Sequence, residues 1–296
     1  MDGTSNDAVP TSAIAMPEVA GFTHEFVDTP GLRTHVAQAG EGDPVLMLHG
    51  FPQHWWEWRA IGGALADSYR VICPDLRGAG WTRAASPQIS HDAIRGDMIG
   101  LLDALGIDRV RIVAHDMGAV VASHLAYQHP DRVHAMVVLA VPPPFMPVTV
   151  GMMPAFRHMP RFRFHRRGAS LAFIFRPPYV VSELPPDVVA TYLAPLGRPE
   201  VDVAVREVYR GLVGAEVPRL MSGAYRRQRL HVPSLYAFGE QDRPLTPGFV
   251  RRHCGDTSRF ADRLEIAAVP DAAHFMTEDA PEVVEALVRD FFDRVG

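Results

Sequence analysis

The sequence predicts an α/β fold: a mostly parallel sheet flanked by helices, with a helical segment inserted between two of its strands. Three observations predict it. Short apolar, β-branched runs alternate along the chain with stretches of helical spacing. Several of those runs are apolar throughout, as strands buried on both faces are. The alternation stops at Pro142 and resumes only near Pro233.

In chain order, residues 1–18 are rich in Ser, Thr, Asp and Ala and read as a flexible lead-in. Segments 22–27 and 32–37 alternate around a Thr-Pro-Gly turn, a β-hairpin pattern. Val45 to Leu48 form an apolar strand. The loop His49-Gly50-Phe51-Pro52 follows, then a helix carrying Trp55, Trp58, Ile61 and Leu65. A strand at 70–73 is closed by Pro74. Ile94, Met98, Leu101, Leu102 and Leu105 space a helix that Gly106 ends. Val110, Ile112 and Val113 begin a strand that runs through Ala114, His115, Asp116, Met117 and Gly118 into another helix, stopped by His129-Pro130. Strands at 134–141, 233–238 and 264–269 and an amphipathic helix at 281–295 complete the pattern. Three parts are therefore expected: the lead-in 1–18, a core of 19–141 and 232–296, and a helical cap of 142–231. The cap carries 13 Arg against 6 acidic residues.

A chain of 296 residues with 47% hydrophobic and 21% charged residues suits one globular unit with an insertion. Two cysteines cannot build a disulfide framework, and 1–17 lacks the basic start and apolar core of a signal peptide. A cytoplasmic, reducing compartment is expected. No run is long enough for a membrane span, and a net charge of −5 disfavours nucleic acid as a partner. No His-Glu-x-x-His or Cys-x-x-Cys spacing occurs, so neither metal nor cofactor is expected. The expected partner is a small molecule, with a homodimer left open.

Three candidate catalytic residues each follow an apolar strand. Asp116 sits in a strand–turn–helix, the setting of a nucleophile elbow; its competing reading is a helix N-cap. Asp242 follows the strand ending at Phe238, and His274 the strand ending at Val269. Nucleophile, acid and histidine in that order match the α/β-hydrolases. An ionised carboxylate needs no base to attack sp³ carbon, whereas an esterase or peptidase needs Ser or Cys at the elbow.

The chain resembles an α/β-hydrolase of the epoxide hydrolase branch over residues 20–295. The matching stretches are His49-Gly50-Phe51-Pro52-Gln53, Trp55-Trp56-Glu57-Trp58-Arg59, Cys73 to Gly80, the elbow, and Gly239-Glu240-Gln241-Asp242. The resemblance implies an eight-stranded sheet and hydrolysis of an epoxide to a vicinal diol through an ester of Asp116. His274 would activate water and Asp242 would orient it, with Phe51 and Met117 as oxyanion-hole residues. It also implies two hydroxyl donors from the cap. Tyr209 fits one; Phe164, His165 and Tyr179 compete for the other, with Phe164 lacking a hydroxyl. Trp55, Phe164, Tyr179 and Phe275 are expected at the substrate. Haloalkane or haloacid dehalogenation is the enzymatic alternative, weakened because Met117 lacks the Trp or Arg that such relatives carry there. A non-catalytic binding protein on the same fold is the alternative of another class.

Overall fold

The computed structural model describes residues 14–86 and 88–296. Among the described residues nine strands form one sheet: β1 (Thr23–Thr29), β2 (Leu32–Ala39), β3 (Asp43–Leu48), β4 (Tyr69–Pro74), β5 (Arg83–Ala84), β6 (Val110–His115), β7 (Val133–Leu139), β8 (Ser234–Gly239) and β9 (Leu264–Val269). Their order is β1-β2-β4-β3-β6-β7-β8-β9, with the two-residue β5 added beside β2. β1 and β2 run antiparallel, as do β2 and β4; every pairing from β4 to β9 is parallel. Eight strands thus form the continuous path that the resemblance implies, and β5 is the addition.

The central strands face apolar packing on both sides, which explains their unbroken hydrophobic runs. In β3, Leu46 and Leu48 join one core cluster while Val45 and Met47 join the other. β6 divides likewise, with Ile112 and Ala114 on one face and Val113 on the other. That is the period-two rule applied to a sheet with two buried faces.

Helices cover those faces: α1 (Arg59–Leu65), α2 (His91–Ala104) and α3 (Met117–Gln128) before the break at Pro142. Between β7 and β8 come α4 (Met159–Arg163), α5 (Pro186–Leu193), α6 (Pro199–Glu207), a π-helical turn (Val208–Val213) and α7 (Gly214–Met221). After β8 follow α8 (Pro247–Cys254), α9 (Met276–Asp279) and α10 (Pro281–Val295). In the expected lead-in, residues 1–13 lie outside the described residues. Beyond them, Ile14 and Met16 pack against the core and the Trp81 indole N–H donates to the Ile14 carbonyl at 3.1 Å, so this stretch is held down.

Candidate active site

β6 ends at His115 and α3 begins at Met117, leaving Asp116 alone at the turn. Its φ of 44° and ψ of −111° are rarely adopted by a residue with a side chain. Gly118 makes the turn possible: a Cβ there would stand 2.1 Å from the Leu48 carbonyl oxygen. Asp116 occupies the helix N-cap position, yet its carboxyl makes no capping bond. Instead Oδ2 accepts the Phe51 backbone N–H at 3.0 Å. The choice between cap and nucleophile thereby tips toward a carboxyl held for use elsewhere.

The ends of β8 and β9 bring up its companions. His274 Nε2 lies 3.7 Å from Asp116 Oδ1, and His274 Nδ1 lies 3.3 Å from Asp242 Oδ2. Burial pushes the Asp116 carboxyl up, but His274 outweighs it and holds the group well below the ordinary carboxylate range. Burial alone would lower His274; its two carboxylate partners instead raise it to about 10. At neutral pH the pair is an imidazolium flanked by carboxylates. Met117 opens α3, so its N–H belongs to the first turn, where no helix carbonyl can accept it. With the Phe51 N–H it supplies two donors beside Asp116.

A buried carboxyl ties these loops together. Glu57 Oε2 accepts the Gly50 N–H at 2.7 Å, and Oε1 accepts the Thr277 hydroxyl at 3.1 Å. Glu57 Oε1 also lies 2.7 Å from His115 Nδ1, both side chains being fully buried. His115 Nε2–H in turn donates to the His274 carbonyl at 3.0 Å. One glutamate therefore touches the loop before Phe51, the residue preceding Asp116, and the short helix α9 after His274.

Above Asp116 lies a cavity of about 520 Å³, lined by Asp116, His274 and Asp242 on one side and by residues of the 142–231 segment on the other. Met117, Met146, Met152, Met153, Met159 and Met221 are among its lining residues. Tyr209 lines it from the π-helical turn, its ring stacked on Phe162 at 4.8 Å and 13°. Burial, then the nearby Asp116 charge, pushes its phenol well above the usual range, so its hydroxyl keeps its proton. Gly211 lets this turn approach the core; a Cβ there would meet the Ile89 carbonyl at 1.6 Å.

Several sequence expectations are corrected. Trp55 is fully buried against Phe22 and His24 in the core and does not line the cavity. Phe164 is 72% exposed, and His165 is buried with Nε2 2.8 Å from Asp202 Oδ1; neither lines the cavity. α4 ends at Arg163, and this turns the two side chains away from the cavity. Tyr179 and Phe275 do line it, and the Tyr179 hydroxyl accepts from Arg157 Nε at 3.3 Å.

The residue that sequence reasoning missed is His158, just ahead of α4. It lines the cavity, with its ring edge-on to Tyr179 at 5.7 Å and to Tyr209 at 6.2 Å. Its Nδ1 is buried without a partner, so Nε2 is the nitrogen that reaches the cavity. Burial lowers it to about 4, despite the opposing Asp116 charge, leaving a neutral ring at pH 7. The available signal is a histidine between Arg157 and Met159, one helical turn before the aromatic run that begins at Phe162.

The α/β-hydrolase fold family model matches residues 43–165. Epoxide hydrolase 3 of Siraitia grosvenorii is 31% identical, over 92% of this chain and 98% of that protein. The chain belongs to the epoxide hydrolase family. Epoxide hydrolase A of Mycobacterium tuberculosis is 44% identical over 40% of this chain and 39% of that one. A provisionally named epoxide hydrolase from Pseudomonas aeruginosa has a similar structure, with TM-score 0.79 and 28% identity over 94% of this chain and 98% of that chain. As in this family, a hydrolase on an α/β sheet keeps its chemistry at the strand ends.

Proposed function

We propose that this enzyme opens an epoxide with Asp116 and hydrolyses the resulting ester with His274, releasing a vicinal diol. The observation that carries the reading is the Asp116 carboxyl. It is ionised, strained into the cavity, free of any capping role, and backed by His274 and Asp242. An Asp116 oxygen attacks an epoxide carbon and the ring C–O bond breaks, giving an alkyl ester and an alkoxide. Tyr209 O–H and His158 Nε2–H stabilise the developing alkoxide, and one of them delivers its proton; Tyr179 supports His158 from the side. With the Asp116 charge gone, the His274 imidazolium passes its proton to the deprotonated cap donor; water then attacks the ester carbonyl while the neutral His274 takes its proton, with Asp242 holding the imidazole. The Phe51 and Met117 N–H groups stabilise the tetrahedral oxyanion. Collapse expels the diol, the water's other proton passing to its second oxygen, and leaves the Asp116 carboxylate beside the His274 imidazolium as at the start.

Residues 142–231 act in this reading as a cap on a core of 19–141 and 232–296. The mostly apolar cavity wall suits a bulky apolar epoxide. The free, buried thiols of Cys73 and Cys254 suit a reducing, cytoplasmic setting.

Replacing His274 by Gln should leave alkylation and stop hydrolysis. Mass spectrometry after incubation with a panel of epoxides should then find Asp116 heavier by one intact epoxide. An adduct formed only from haloalkanes, with halide released, would replace epoxide opening by dehalogenation. No adduct, alongside an inert wild type, would favour a binding protein.

A further inference from the structure

The rim of the cavity is apolar and open to solvent. Val148, Met153, Val217 and Met221 line the cavity, yet all four are exposed, Met153 by 56% and Met221 by 73%. They therefore stand where the cavity meets water. Val148 and Met153 come from the stretch between β7 and α4, and Val217 and Met221 lie one turn apart on α7. Between the first two, Val150 opens a 3₁₀ turn (Val150–Phe156) and is 87% exposed, without lining the cavity itself. A single apolar residue at the surface needs no explanation. An apolar group gathered from two elements around a cavity mouth marks a contact surface.

The charge beside this rim has one sign. Among the described residues, the exposed charged groups that line the cavity are Arg157 and Arg243, whereas Glu216 and Asp242 are buried. Residues 142–182, which carry Val148, Val150 and Met153, hold six Arg and no Asp or Glu. Among the described residues only Arg176 of these six meets a carboxylate, that of Glu183 at 2.8 Å. Exposed hydrocarbon beside arginines without acidic partners matches a bilayer surface, which is apolar within and anionic at its headgroups. A nucleic acid or an acidic protein would use the arginines and leave the valines and methionines in water. A second copy of the chain would set like charges against each other. No described helix is long and apolar enough to cross a membrane, so the contact is peripheral.

We propose that this rim docks on an anionic lipid surface, from which the cavity takes apolar epoxides. The docking is independent of the chemistry at Asp116; only the delivery rests on the epoxide-opening reading above. Val150, Met153 and Met221 enter the headgroup region, while Arg157 and Arg243 keep their charges at the lipid phosphates and carboxylates. The cavity mouth then opens onto hydrocarbon, and an apolar epoxide reaches Asp116 without crossing water.

The test uses the full-length protein and vesicles of two compositions, phosphatidylcholine alone and an equal mixture with phosphatidylserine. Co-sedimentation should find the protein on the mixed vesicles and largely free of the others, with binding weakened by salt. Val150→Glu should weaken binding roughly tenfold, since it removes buried hydrocarbon and adds repulsion. Val150→Trp should tighten it, a gain that a loss of fold cannot imitate. Hydrolysis of an apolar epoxide dissolved in the mixed vesicles should fall in Val150→Glu by the same factor. A water-soluble epoxide should turn over as in the wild type. No binding to either vesicle, or binding indifferent to both variants, overturns the docking and leaves the Asp116 chemistry standing. A dimer in solution that Val150→Glu dissociates gives the rim to a second copy and overturns the docking as well. Weakened binding with unchanged turnover of the vesicle-borne epoxide supports the docking and overturns the delivery. Wild-type binding to mixed vesicles without turnover of any epoxide supports the docking and overturns the epoxide-opening reading together with the delivery.

Discussion

At the residue scale, His274 links the two half-reactions through its charge. Paired with the Asp116 and Asp242 carboxylates, its imidazole is raised to about 10 from an ordinary 6.5. Its contribution to stability is therefore complete below about pH 6.5 and fades as pH rises toward 10. The Asp116 carboxyl is held below its ordinary 3.8, so its contribution is present above that pH and fades as pH falls. Ester formation removes the Asp116 charge, and with it part of what keeps His274 protonated. Asp116→Asn imitates that neutral state. The His274 pKa followed by NMR should fall from about 10 toward 6.5 in this variant. An unmoved titration would mean that Asp116 does not hold the proton there. The two cap donors separate the half-reactions in another way. His158→Ala or Tyr209→Phe should slow ester formation by about 10²-fold, since each removes one donor to the alkoxide. Hydrolysis of an ester already formed should change little. Stopped-flow single turnovers resolve the two steps, and wild-type alkylation rates in both variants would remove these residues from the reaction.

At the scale of elements, the site depends on segments that leave the parallel strands β3, β6 and β9 and are tied beneath the surface by Glu57. Glu57→Ala would leave the Gly50 N–H and the Thr277 hydroxyl without their shared acceptor and remove the carboxyl 2.7 Å from His115 Nδ1. A loss of about 3 kcal/mol in stability is expected from breaking such a buried pair. Glu57→Gln keeps an acceptor of nearly the same shape, so it should restore most of that stability in urea denaturation. It should still lower kcat more than it raises KM, because the loops bearing Phe51 and His274 lose a charged tie. Equal effects of Ala and Gln on stability would assign Glu57 a packing role only. The core elements were legible because their cues are local and strong. Apolar runs marked β3, β6 and β8, and the change from strand to helical spacing marked the elbow at Asp116. Glu57 and Trp55 lay in a segment that was legible as an element but not by face. The turn at 55–58 sends Trp55 inward to Phe22 and His24, a direction that only the hairpin packed against it determines.

At the scale of the whole molecule, the 142–231 segment resisted reading for a physical reason. Its helices are short, α4 having five residues, and prolines rather than periodicity set their ends. A shift of about two helical turns there exchanged His158 for Phe164 and His165. What holds the segment in place is a set of polar ties to the core. Arg198 Nη1–H donates to the Gly80 carbonyl at 2.6 Å, and Phe275 N–H donates to the Tyr179 carbonyl at 3.0 Å. Another tie joins Tyr192 of α5 to Glu278 of α9 and Arg59 of α1. Arg59 grips Glu278 with two bonds of 2.7 and 2.8 Å and reaches the Tyr192 hydroxyl at 3.0 Å. Burial works against the Arg59 charge, but Glu278 outweighs it and keeps the guanidinium protonated. The Glu278 side chain is only 5% exposed, so Arg59→Met would strand its carboxyl without a counter-charge. A loss of about 3 kcal/mol is expected for that single change. The net worth of a buried pair against neutral groups of similar shape is far smaller. Arg59→Met combined with Glu278→Gln, which keeps an acceptor for Tyr192, should therefore be more stable than Arg59→Met alone. Urea denaturation of both single variants and the double closes the cycle. Strictly additive losses would show that the three residues do not act as one tie between segment and core.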